Sequence, residues 1–61
     1  MPMELLIEIV QQGAFAKATA LDPVSGLEAS VVGPASASRA TLAEAARRKL
    51  VYLARKQNGG M

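Results

Sequence analysis

The stretch Leu21-Asp22-Pro23-Val24-Ser25-Gly26-Leu27-Glu28-Ala29-Ser30-Val31-Val32-Gly33-Pro34 decides the fold of this chain. It predicts the end of one strand, a tight turn and a second strand at about residues 26–32. Asp22 and Pro23 are typical residues at the start of a turn, and Gly26 can adopt the positive φ that closes a four-residue loop. We expect Gly33-Pro34 to stop the strand at residues 26–32, because proline has no N–H to donate to a β-ladder.

Two further strands are predicted before this turn, at about residues 3–12 and 14–21, separated by the turn signal Gln12-Gly13. Along the first of these strands the side chains alternate between the two faces with a period of two, and its core face consists of Leu5, Ile7 and Ile9. The second places small side chains on one face, namely Ala16, Ala18 and Ala20. The three strands therefore predict an antiparallel meander.

One helix is predicted at about residues 39–57. Ser38 is a typical N-cap, and Thr41 with Glu44 forms an alternative capping box. Asn58-Gly59 is typical of a helix C-cap, so residues 58–61 are expected to form a frayed tail. The apolar stripe of the helix consists of Leu42, Ala46, Leu50 and Leu53.

The predicted fold class is α+β, with one small domain over residues 1–61. A three-stranded antiparallel β-meander is followed by one C-terminal α-helix, and the alanine-rich helix stripe packs on the sheet face that carries the alanines. The opposite sheet face is then uncovered. Its apolar residues are Leu6, Val10, Phe15, Leu21 and Val32.

This uncovered face predicts a partner surface, because exposed apolar patches of small proteins commonly mark interaction sites. A domain of this size buries only about 60% of its unfolded surface, and it has no cysteines for disulfides. We therefore expect a non-enzymatic interaction module that forms a homodimer through this face, with Phe15 as its anchor. Another protein is the alternative occupant of the same face.

The basic residues indicate a second function class, although the formal net charge is only +2. Most of the cations lie in the predicted helix, where Arg47, Arg48 and Arg55 share one broad face. Ser36, Ser38 and Arg39 precede or open this helix, where an anion can bind backbone N–H groups. These six residues are the candidate contacts for an anion or a nucleic acid. Helix capping, dipole compensation and solubility explain the same residues without a ligand, and this is the favoured interpretation.

The composition argues against enzymatic chemistry. The chain has neither cysteine nor histidine, so most zinc sites are excluded and any general base would have to be a carboxylate; we expect no catalytic residue, metal or cofactor. Asp22 is explained by turn hydrogen bonds. The N-terminus has no secretory pattern and no apolar run is long enough for a membrane helix, which favours a cytoplasmic protein.

The chain resembles a family of short, uncharacterised proteobacterial proteins. The resemblance rests on Asp22 to Gly26, Glu28 to Ser30 and Val31 to Pro34, which together match a D-P-V-S/T-G-x-E-x-S-x-V-G-P core, and on the helix segment Arg47 to Tyr52. It implies no activity, cofactor or catalytic residue.

Overall fold

Three strands and one helix make up the part of the chain that the structure, a computed structural model, describes, residues 4–59. In chain order they are β1 Leu6–Gln12, β2 Phe15–Leu21, β3 Glu28–Pro34 and α1 Arg39–Gly59. The strands form one antiparallel sheet in the order β1-β2-β3, and α1 packs on one face of it. The predicted α+β meander with a C-terminal helix is confirmed.

The turn between β2 and β3 has the chemistry that the sequence predicted. Gly26 adopts a φ of 80°, and its N–H donates to the Asp22 carbonyl at 2.8 Å. The Asp22 N–H donates to the Leu27 carbonyl at 2.9 Å and closes the loop. This geometry fixes the register in which Leu21 faces Glu28.

β3 continues to Pro34, two residues past its predicted end at residue 32. Ala35 donates its N–H to the Ala14 carbonyl at 2.8 Å, so the adjacent pair of Phe15 and Pro34 is a non-hydrogen-bonded pair of the ladder. The backbone nitrogen of Pro34 therefore points away from β2. Proline is tolerated there because β3 is an edge strand and no ladder bond is lost.

The other boundaries differ from the predictions by a few residues. β1 begins at Leu6, and residue 3, the predicted start, lies outside the described residues. The helix includes Asn58 and Gly59, which were predicted to cap it, while residues 60–61 of the predicted tail lie outside the described part. Helix ends are loosely defined, and a glycine in a helical position costs only about 1 kcal/mol relative to alanine.

The core is built from small side chains, and its buried members are Ala16, Ala18, Ala20, Ala29, Leu42, Ala46 and Leu50. Gly33 shows how closely the helix approaches the sheet, since a Cβ atom at this position would stand 2.8 Å from Cδ2 of Leu42. Small residues on both elements therefore allow the helix to lie directly on the backbone of β2 and β3.

The helix is offset towards β2 and β3, and it has few contacts with β1. Ile7 and Ile9 of β1 face the helix side of the sheet but are only half-buried, as is Leu53 on the helix. β1 is therefore paired on one side only and incompletely covered on its apolar face.

Candidate interaction surfaces

The open face of the sheet, defined as the face opposite α1, carries twelve side chains in four cross-strand rows. From β1 to β3 the rows are Leu6–Leu21–Glu28, Glu8–Thr19–Ser30, Val10–Lys17–Val32 and Gln12–Phe15–Pro34. Side chains in one row are direct neighbours, and diagonal contacts join adjacent rows.

All five residues predicted as an interface lie on this open face. Phe15 is 60% exposed and Val32 66%, while Leu21 is half-buried. The register divides the five into an end formed by Leu6 and Leu21 and an end formed by the other three. Between the two ends lies a polar row, in which the hydroxyls of Thr19 and Ser30 are 2.9 Å apart. The face therefore has two apolar ends and a polar middle.

A shallow hollow of about 430 Å³ occupies the Leu6 and Leu21 end of this face. Its lining includes the charged residues Glu8, Glu28 and Lys17 and the hydroxyl residues Thr19 and Ser30. The open face thus combines exposed apolar side chains with a shallow depression lined by apolar, polar and charged residues, which is suited to a partner that brings an apolar anchor and complementary charges.

The two edges of the sheet differ sharply. At β3, the ammonium group of Lys49 donates a hydrogen bond to the Ser30 carbonyl at 2.8 Å. That carbonyl points away from β2, because the odd-numbered residues of β3 make the ladder bonds to β2. With Pro34 on the same edge, β3 carries two features that natural proteins use to block strand addition.

At β1, the unpaired backbone groups are those of the odd-numbered residues. Even-numbered residues of β2 bond to β3, so its odd-numbered residues bond to the even-numbered residues of β1. The N–H and C=O groups of Ile7, Ile9 and Gln11 therefore point outward. Residues 6–12 include neither lysine nor proline, and the edge has no such protection.

The outer face of α1 carries the predicted basic cluster. Arg47, Arg48 and Arg55 line a hollow of about 350 Å³ together with Val51 and Tyr52. Arg48 donates to Glu44 at 3.0 Å in an exposed ion pair, and the Lys56 ammonium lies 5.7 Å from the centre of the Tyr52 ring. The structure thus brings the three arginines together around an exposed tyrosine.

The loop before the helix uses its hydroxyl groups for capping. Ser38 accepts a hydrogen bond from the Thr41 N–H at 3.0 Å, and its hydroxyl donates to the Thr41 hydroxyl at 2.8 Å. The predicted N-cap is confirmed. Ser36 and Arg39 are exposed, and within residues 4–59 neither forms a hydrogen bond or an ion pair with the three arginines of the outer face. The helix cap accounts for Ser38 without a bound anion.

Asp22, in the turn between β2 and β3, has a carboxyl group with a lowered pKa. A hydrogen bond from the Val24 N–H at 3.0 Å, followed by one from the Ser25 hydroxyl at 2.9 Å, lowers the pKa of its carboxyl group. Both bonds favour the charged carboxylate. The Ser25 hydroxyl in turn accepts the Leu27 N–H at 3.1 Å. Asp22 therefore acts as a structural turn residue, as the sequence predicted.

Within residues 4–59, the acidic side chains form no group of three that could hold a metal ion. In the same part of the chain, α1 lacks the long apolar segment required to cross a bilayer.

Two functional features escaped the sequence interpretation. Gly33-Pro34 predicted a strand break, but the missing side chain of Gly33 makes room for Leu42. The only indication of this packing in the sequence is that an apolar helix follows Gly33 closely. Lys49 received no role from the sequence pattern, but its ammonium group binds a specific carbonyl on the β3 edge. That bond depends on how the helix crosses the sheet, which the sequence does not specify.

The comparisons with known proteins identify a family. A family model described as "Domain of unknown function (DUF6898)" matches residues 2–57, which is nearly the whole chain. The chain belongs to this family. No curated protein and no solved structure matches the chain. DUF6898 carries no assigned activity, so any functional conclusion must come from the surfaces described above.

Proposed function

We propose that this DUF6898 domain is a non-enzymatic protein-interaction module of the bacterial cytoplasm, and that its open sheet face binds a second copy of the chain. The observation that carries the proposal is the exposure of Phe15, Val32 and Leu6 on the sheet face that no element within residues 4–59 covers. Exposed apolar side chains on such a small domain favour association, because the core alone provides only about 3–5 kcal/mol of stability.

The rows of the open face are complementary to themselves when a second copy is turned end for end. A two-fold axis lying between the sheets and perpendicular to the strands places the Leu6 and Leu21 end of one copy on the Phe15 end of the other. Lys17 then faces the row that contains Glu8. This arrangement sets each Phe15 ring against Leu21 of the other copy, and it brings Lys17 within one strand of Glu8 of the other copy.

The test is to introduce a charge at the anchor. Phe15→Asp should weaken self-association at least about tenfold, equivalent to about 1.4 kcal/mol, because a carboxylate would be desolvated against the leucines of the partner. Val24→Asp is the matched control, since Val24 is 93% exposed in a turn and lies off the face. Molar mass by light scattering over a range of concentrations measures the effect.

A second variant guards against loss of folding. Val32→Glu places a carboxylate directly beside Lys17, so the added cross-strand pair favours the folded monomer while it blocks the face. Circular dichroism monitors the fold. If both face variants associate as strongly as Val24→Asp, the open face is not the self-contact.

Nucleic-acid binding is the second candidate function, and the exposed Tyr52 ring among three arginines favours it. An aromatic ring can stack on a base while arginines neutralise phosphates. Binding to a labelled single-stranded oligonucleotide should weaken steeply with salt. The double variant Arg47→Ala with Arg55→Ala should lower the slope of log binding constant against log salt concentration by about two, because two phosphate contacts are lost. Lys17→Ala is the matched control, because it removes a cation from the sheet instead. Binding that is insensitive to salt and to these variants would contradict this candidate.

A further inference from the structure

We propose that a second copy of this chain also adds to the outer edge of β1, so that two β1 strands pair antiparallel and two sheets join into one of six strands. This contact is separate from the open face and goes beyond the function proposed above. Its occupant is the chain itself, since the features that favour the pairing lie on β1 and are complementary to their own two-fold copy.

The first feature is the asymmetry between the edges. Lys49 and Pro34 obstruct the β3 edge, whereas the outward backbone groups of Ile7, Ile9 and Gln11 meet no such obstruction. An exposed strand edge is a template for another strand, and proteins that remain monomeric usually block it. Only one of the two edges in residues 4–59 is blocked, which indicates that the other is used.

The second feature is the incomplete cover on the helix side of β1. Antiparallel pairing about a two-fold axis normal to the sheet keeps both helices on the same side. The half-buried Ile9 side chains of the two copies then meet at the centre of the joined sheet, between the two helices, and the half-buried Ile7 of each copy lies diagonal to Ile9 of the other. The offset of α1 towards β3 leaves the space that this meeting requires.

The third feature is the register that the charges allow. A register centred on Ile9 pairs all seven residues of β1, with Ile7 opposite Gln11 of the second copy. It forms about six backbone hydrogen bonds, because the outward groups of three odd-numbered residues in each strand then face one another. Glu8 lies opposite Val10 of the second copy, so the two glutamates avoid the direct opposition that a register centred on Glu8 would impose.

The first experiment removes an outward N–H without disturbing the hairpin. Gln11→Pro deletes a donor that points away from β2, and Gln11 is exposed, so the monomer fold is retained. Gln11→Thr is the matched control, because it removes the same side chain but keeps the N–H. We expect Gln11→Pro to lose the edge contact and Gln11→Thr to keep it.

Molar mass by light scattering separates the edge contact from the open-face contact. With both contacts, the unmodified chain and Gln11→Thr form assemblies of four copies. Phe15→Asp leaves edge-paired dimers, Gln11→Pro leaves face-paired dimers, and the combined variant is a monomer. Equal masses for Gln11→Pro and Gln11→Thr would overturn the edge proposal while leaving the open face intact. A monomeric Phe15→Asp variant would also overturn it.

Cross-linking tests the register independently of proline. The chain has no cysteine, so a single introduced cysteine can form a disulfide only with the same cysteine of a second copy. Ile9→Cys lies at the proposed axis and should form a disulfide dimer under mild oxidation, because hydrogen-bonded antiparallel pairs have Cα atoms about 5.5 Å apart. Gln11→Cys lies about 13 Å from its copy in this register and should remain reduced. Equal cross-linking of the two variants, or none in Ile9→Cys, would overturn the proposal.

Discussion

The two edges of this small sheet differ because the helix protects one edge strand and leaves the other available for pairing. β3 lies under α1, with Leu42 against Gly33 and Lys49 bonded to the Ser30 carbonyl. β1 has the more apolar sequence, yet it receives few helix contacts. Residues 6–12 contain no lysine or proline that would block its outward backbone groups. The position of one helix across the sheet therefore decides which edge can accept another strand.

The largest effect is expected where the helix touches β3. Gly33→Ala should lower the free energy of unfolding by about 1–3 kcal/mol, because its Cβ would stand 2.8 Å from Leu42 in a filled core. Urea unfolding measures the change. In a Leu42→Ala background the same substitution should cost less, since the clashing methyl group is absent. An equal cost in both backgrounds would show that the Leu42 contact does not hold the helix over β3.

An intermediate effect is expected from unmasking the β3 edge. Lys49→Ala removes the donor to the Ser30 carbonyl, which should cost no more than about 1 kcal/mol in thermal or urea unfolding because the bond is exposed. It should also raise self-association and aggregation, measured by light scattering, as the bare edge becomes able to pair. Lys56→Ala removes the same charge from the last turn of the helix and serves as the control. Equal aggregation of the two variants would show that Lys49 does not protect the β3 edge from strand addition.

The smallest effect is expected at the turn that sets the register of β3. The pKa of Asp22 is lowered by folding, so its contribution to stability is present above the unfolded-state pKa and is lost as the pH falls through the folded-state value. Asp22→Asn keeps acceptors for Val24 and Ser25 but has no charge. The melting temperature of the variant should therefore lie slightly below that of the parent at pH 7 and converge with it in strong acid.

Melting curves from pH 7 to pH 2 measure this convergence, and the parent chain at each pH is the reference for the variant. A difference in melting temperature that stays constant with pH would show that the charge of Asp22 plays no part in holding the turn.

The fold could be predicted from the sequence because its local signals agree. Asp22 and Gly26 specify the turn, the alternation around Ile7 specifies a strand, and Ser38 specifies the start of the helix. The end of β3 could not be predicted, since the cost of Pro34 depends on which side of the strand its nitrogen faces. That side is fixed by the pairing of Ala35 with Ala14, which is a tertiary fact.

The candidate surfaces were predicted in part. Alternation alone places Phe15 and Val32 on the uncovered face, but it does not show that the row of Thr19 and Ser30 divides that face. The division follows from the register of three strands, which the sequence leaves open. Likewise, no spacing rule indicates that Lys49 reaches Ser30 across nineteen residues. Edge protection depends on the crossing of helix and sheet, so it becomes visible only in three dimensions.

The alanines of β2 determine how the domain exchanges its amide hydrogens with solvent. Ala18 and Ala20 are fully buried, their strand is bonded on both sides, and the helix lies over their methyl groups. Their N–H groups cannot reach water through a local opening that leaves the helix in place, so they should exchange only through global unfolding. The deuterium uptake of the middle strand therefore reports the stability of the entire domain, and it can be followed for every surface variant described above.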